Sequence, residues 1–143
     1  MDELLDAIVT AVPSRYRYEV IKKCVQTTLS RSAVDKEQVS AMMQQLVSLG
    51  VVSQDQAVEG FYRVLWVLSG LRLDVPNACD LVARFIVRAM ADGVLPRNFV
   101  DSIPDAVLLH KDVEVCVPVR VPPRAHRGVL TSTCSQLDEQ ISW

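Results

Sequence analysis

Gly70-Leu71-Arg72-Leu73-Asp74-Val75-Pro76 lies between two strongly amphipathic stretches, and the way it is read decides the fold. Upstream, Ala57, Val58, Phe61, Leu65 and Leu68 recur at helical spacing; downstream, Leu81, Val82, Phe85, Ile86, Ala89 and Met90 do the same. Pro76 suits the first position of a helix, because its ring fixes φ and the amide hydrogen it lacks has no intrahelical partner there. Asp74 stands two residues earlier, where unpaired N–H groups and the positive end of the next helix favour a negative charge. The stretch therefore reads as a turn joining two antiparallel helices, 53–69 and 76–92, with Phe61, Leu65, Leu81, Phe85 and Ile86 in a shared core.

The pattern continues on both sides. Ser53-Gln54-Asp55-Gln56 matches a capping box, in which the Ser hydroxyl and the Gln side chain satisfy each other's exposed backbone N–H groups. Before it, Asp35 to Leu49 places Val39, Met42, Met43, Leu46 and Val47 on one face and stops at Gly50, a residue suited to the left-handed conformation that ends helices. Earlier still, Leu4, Leu5, Ile8 and Val12 mark a helix over 2–12 that Pro13 stops, and Ser14 is placed to cap a second helix running to about Leu29. Gly93 closes the helix that starts at Pro76, and Phe99, Val100 and Ile103 suggest one more short turn before Pro104.

From residue 105 the character changes. Val113 to Val121 carries valine at every second position, a strand period, but Pro118 forbids a central strand, and Pro122-Pro123 and the Ser/Thr-rich run 131–135 read as linker. The expected organisation is an all-α helical domain over 1–104 and an irregular or partly disordered tail over 105–143.

Composition narrows the function. In 143 residues, 15 Lys and Arg against 17 Asp and Glu give a net charge of −2, and half the residues are hydrophobic, as in ordinary globular domains. Phosphate binding usually leaves a basic excess, so nucleic acid is not called for. Arg15, Lys22 and Lys23 share an arc of the second helix, but with no stacking aromatic among them RNA binding is a minor alternative and a solvated face the commoner meaning. Cys24, Cys79, Cys116 and Cys134 are widely spaced, and no metal or redox motif results; Cys24 and Cys79 read as small core residues in a reducing compartment. There is no basic, apolar leader and no run of the ~20 apolar residues that a membrane span needs. The only histidines, His110 and His126, lie in the tail, and no nucleophile set or phosphate loop converges on the helices. The expectation is a non-enzyme without cofactor, metal or small-molecule substrate, soluble and intracellular.

The order Gly60-Phe61, then Leu73-Asp74-Val75-Pro76, then Leu81-Val82-Ala83-Arg84-Phe85-Ile86 and Asp92-Gly93-Val94-Leu95 resembles the MA-3 domain over about residues 8–103. These HEAT-like modules of antiparallel helical hairpins occur in translation repressors of the programmed cell death protein 4 type, the branch most similar here, and in initiation factor 4G scaffolds. The resemblance implies a cytoplasmic and also nuclear module that binds the DEAD-box helicase initiation factor 4A and modulates cap-dependent translation initiation by inhibition. The main alternative is a generic helical scaffold binding another protein. It further implies that the contact is the turn itself, Gly70, Leu73, Asp74, Val75 and Pro76, with Asp74 as the family's binding acid and Pro76 as its neighbouring proline. Two departures stand out: the family's second acid, four residues before Asp74, is Gly70 here, and the family's first helix is missing before Asp2.

Overall fold

The computed structural model describes residues 2–108 and Trp143, and the expected valine-rich segment at 113–121, both histidines, Cys116 and Cys134 lie outside the described residues. The elements are α1 (Asp2–Ala11), a 3-10 turn (Ser14–Tyr16), α2 (Tyr18–Thr28), α3 (Ala33–Ser48), α4 (Gln54–Trp66), α5 (Leu68–Asp74), α6 (Ala78–Ala91), a 3-10 turn (Val100–Ser102) and α7 (Asp105–Leu108). The fold is all-α, with no strand among the described residues.

Local chemistry sets many of the ends. At α4 the Ser53 hydroxyl accepts the Gln56 N–H at 3.2 Å while the Gln56 side chain accepts the Ser53 N–H at 3.1 Å, the reciprocal box expected there. A second box, not anticipated, starts α3, where Ser32 and Asp35 exchange the same bonds and Asp35 becomes the third helical residue instead of the first. The Ser32 hydroxyl, donating to the Asp35 carboxylate at 2.7 Å, and then the Ser32 N–H hold that carboxyl below its ordinary pKa. Gly50 and Gly93 stop their helices with φ of 71° and 76°, as the left-handed stop requires. Ser14 does not cap α2; a 3-10 turn intervenes, neither start has a side-chain cap, and the Ser14 carbonyl instead accepts a bond from the Gln56 side chain.

Tertiary pairing shows how the hairpins stack. Gln56 reaches Ser14, Gly60 abuts Tyr18 and Ile21, and Arg63 meets Glu19, so α2 and α4 run in the same sense. Glu37 pairs with Arg88 and Gln44 with the Asp92 carbonyl, so α3 and α6 do too. That is the stacking of two successive hairpins, α2–α3 and α4/α5–α6, first helix on first and second on second. The nearest neighbour of α4 is accordingly α2, while α6 packs on α5 and α3, a difference from the single hairpin expected across the central turn.

One continuous core fills the stack. Phe61, Leu65, Leu81, Phe85 and Ile86 are all buried in it, joined by Ile21, Val25, Leu29, Val64, Leu68 and Phe99. On α3 only Met43 and Leu46 of the five expected residues are fully buried; Val39, Met42 and Val47 are half-buried, and Lys36 and Ser40 turn inward. Tyr62 stacks on Phe99 at 5.3 Å and its hydroxyl donates to the Ser102 carbonyl at 2.8 Å, anchoring the segment after α6. Order continues past residue 104: Val107 of α7 is buried in the same core. Trp143 also lies on the helical body, its ring 4.4 Å from that of Phe85 and its indole N–H donating to Glu37 at 2.9 Å.

Cysteine chemistry divides. Cys24 is a free thiol whose burial pushes its pKa up to about 11, so it stays protonated and inert. Cys79 is half-buried and disulfide-bonded, contrary to the expectation of a reduced core residue.

Candidate functional site

The stretch expected as a turn is mostly helix. α4 ends at Trp66, where Val67 (φ −98°, ψ 8°) leaves helical geometry and shares its N–H between the Arg63 and Val64 carbonyls. α5 then takes up Leu68 to Asp74, held down by buried Leu68 and half-buried Leu71. Gly70 therefore sits inside a helix, at negative φ, with open space where a Cβ would project.

Pro76 ends α5 from one residue away. A residue before proline is pushed out of the α region by the ring, and Val75 is extended, with φ −127° and ψ 95°. The Val75 carbonyl then accepts the Ala78 N–H at 2.9 Å, and Asn77 has φ −94° and ψ 20°. This is a type I turn with Pro76 at its second position, where the fixed φ of proline is favoured. The expectation that Pro76 opens the next helix is thus corrected: α6 begins at Ala78, two residues on.

Asp74 changes role with it. It is the last residue of α5, not a neighbour of the α6 start, and the first turn of α6 has no side-chain cap. A carboxylate at a helix C-terminus faces the negative end of the helix dipole, which is mildly unfavourable. Asp74 is exposed, and its carboxylate makes no hydrogen bond or ion pair among the described residues. Leu73 beside it is 86% exposed, the most exposed large apolar residue described. The structure thus brings Leu73, Asp74, Val75 and Pro76 together at one exposed corner, with Gly70 one turn back along α5. Such a corner offers a carboxylate acceptor and an apolar anchor on a backbone shaped by proline, which suits contact with a cationic protein surface.

Other charged groups are arranged differently from the sequence pattern. Arg88 reaches across to α3: it forms a two-pronged pair with Glu37, at 3.0 and 2.5 Å, and bonds Asp92 of its own helix end at 2.9 Å. The Trp143 indole and then Arg88 hold the Glu37 carboxyl below its ordinary pKa. Lys22 pairs with Glu19 at 3.4 Å, leaving Arg15 and Lys23 as the exposed members of the expected basic face. No group of three or more metal-ligating side chains occurs among the described residues. No described helix is long and apolar enough to cross a membrane.

Sequence reading missed the contacts that join distant segments. Nothing near Glu37 announces Trp143, 106 residues away. Arg63 over the Tyr18 ring, with 4.4 Å to the centroid, likewise joins two helices that periodicity treats separately.

Comparison with known proteins agrees with this architecture. The family model of the MA3 domain matches residues 4–96. The chain is 38% identical over 86 residues to MA3 domain-containing translation regulatory factor 4 of Arabidopsis thaliana, covering 60% of this chain and 13% of that protein. It is 34% identical over 86 residues to programmed cell death protein 4 of Gallus gallus, covering 60% of this chain and 18% of that protein. To eukaryotic translation initiation factor 4 gamma 1 of Oryctolagus cuniculus it is 26% identical over 76 residues, covering 53% of this chain and 5% of that protein. The chain therefore spans less than a fifth of the length of each of these relatives. With the model match covering well over half of its residues, this chain belongs to the MA3 domain family.

Proposed function

We propose that the chain is a non-catalytic protein-interaction module of translation, and that its partner is the DEAD-box helicase initiation factor 4A, whose cycle it hinders. The setting in translation is supported by the relatives, which include translation regulatory factors and an initiation factor scaffold. The single observation that carries the docking site is Asp74: an exposed carboxylate at the unfavourable end of α5, without a partner among the described residues and beside exposed Leu73. A group that contributes nothing to its own helix is available to an Arg or Lys of another protein, and the proline-fixed turn limits the ordering cost on binding. The reading places the module in the cytoplasm, with the nucleus as a second compartment.

The test separates binding from folding. Asp74→Lys removes a pair and introduces repulsion, so helicase affinity falls by at least ~2 kcal/mol, or about 30-fold, in a titration with purified helicase. Folding is unaffected, because Asp74 caps nothing. Gly70→Glu adds an acid at an exposed helical position with room for its side chain, and the complex tightens. Parent-like affinity in Asp74→Lys, with the helical circular dichroism unchanged, removes this corner as the docking site.

A further inference from the structure

The 3-10 turn and the first turn of α2 form a second exposed corner, on a different part of the stack from Asp74. Here the tertiary structure supplies what the basic arc lacked in sequence. The Arg15 guanidinium lies over the Tyr16 ring, 4.7 Å from its centroid, and Tyr16 meets Tyr18 edge to face at 6.5 Å. From α4, Arg63 covers the Tyr18 ring. Tyr16 remains 44% exposed, so part of its ring is open to solvent.

The charges facing this corner are not balanced. Glu59 holds Arg63 at 2.7 Å, and Glu19 lies 3.9 Å from Arg63 and 3.4 Å from Lys22, so the two carboxylates are taken up by these two cations. Arg17 is occupied with the Val51 carbonyl at 2.9 Å. Arg15 and Lys23 are exposed and pair with no carboxylate among the described residues. The corner is therefore locally positive in a chain whose net charge is −2. Lys23 stands five residues beyond Tyr18, about 8 Å along the axis and about 140° around it at 3.6 residues per turn, so it extends the positive charge along α2 away from the rings.

We propose that the Tyr16–Tyr18 corner contacts single-stranded RNA. One base stacks on the open part of the Tyr16 ring, continuing the alternation of guanidinium and aromatic planes, with Arg15 taking a phosphate beside it and Lys23 a phosphate further along the strand. Stacking platforms beside a positive track bind single strands with little sequence preference, because every base presents a π-face. An acidic peptide needs the cations alone and gives the exposed aromatic plane no role.

Fluorescence anisotropy with a labelled twelve-nucleotide uridine-rich RNA, from 50 to 200 mM salt, tests the assignment on the whole chain. Tyr16→Ala weakens binding roughly 5- to 100-fold while leaving the salt dependence unchanged, since a base stack releases no counterion. Tyr16→Phe, which keeps the ring, retains parent affinity. Arg15→Gln and Lys23→Gln each reduce the slope of log K against log salt by about 0.7, the value for one single-strand phosphate. Three results overturn the proposal: no binding at 50 mM salt, a Tyr16→Ala protein that is folded yet binds like the parent, or equally tight binding of a polyglutamate of matched charge, which makes the corner an acidic-protein surface. All are independent of Asp74.

Discussion

Replacing Gly60 by alanine tests the packing that orders the whole stack. A Cβ built at Gly60 falls 2.8 Å from the Tyr18 carbonyl oxygen, 2.9 Å from Ile21 Cβ and 3.0 Å from Ile21 Cγ2. The nearest of these is backbone and the others are the root of a branched side chain in its helix, so no flexible tip can move away. α2 and α4 must separate by several tenths of an ångström, and overpacking of this kind costs about 1–3 kcal/mol. Alanine also gains about 0.8–1.0 kcal/mol over glycine in a helix interior, which partly hides the clash. Gly70 supplies the control, being helical, exposed and surrounded by open space, so Gly70→Ala takes the propensity gain alone. Gly60→Ala should therefore be less stable than Gly70→Ala by about 1–3 kcal/mol. At roughly 3–4 °C per kcal/mol for a chain of this size, the Tm difference is about 3–12 °C. Urea unfolding followed by circular dichroism, with equal m values in the two variants, measures it. If Gly60→Ala is stabilised as much as Gly70→Ala, close approach of α2 is not the reason for a glycine at this place, and the stacking of first helix on first helix is misassigned.

Two further expectations follow from local hydrogen bonding and from charge. Ser53→Ala removes the acceptor of the α4 capping box and should cost about 1 kcal/mol, whereas Ser14→Ala should change stability by less than ~0.5 kcal/mol, because Ser14 contributes only its backbone carbonyl; chemical denaturation of both variants distinguishes them. The Glu37 carboxyl is depressed by the Trp143 indole and Arg88, so its contribution to stability is present above the ordinary glutamate pKa of ~4.3 and is lost as pH falls through the lower folded value. Trp143→Phe keeps a ring against Phe85 but removes the leading cause of the shift, so the variant should be less stable near pH 7, and its loss of stability on acidification should be smaller and end at a higher pH than in the parent; superimposable profiles for variant and parent from pH 3 to 7 would show that the indole bond carries no such linkage.

What the sequence determined by itself is whatever is decided within a few residues. The Ser53 box joins groups three positions apart, Gly50 and Gly93 answer a local need for positive φ, and the apolar spacing from Ala57 to Leu68 selects the buried face whatever it packs against. That Leu73, Asp74, Val75 and Pro76 share one corner was legible too, since they are consecutive residues between two amphipathic stretches; their docking role came only from the resemblance and is a proposal. Only the tertiary structure decided what each does there. Gly70 to Asp74 are helical where a turn was expected, since burying Leu68 and Leu71 offsets the poor propensity of Gly70, and Val67 took the bend inside the helix expected over 53–69 with no glycine or proline to mark it. Pro76 was read as a helix start and acts as a turn former, because proline fits both, and the extended Val75 before it settles which. The partners of Gly60, Tyr18 and Glu37 come from other helices or from residue 143, and no periodicity encodes them: a helix pattern specifies which face is buried, while the identity of the residues meeting that face depends on how the hairpins stack.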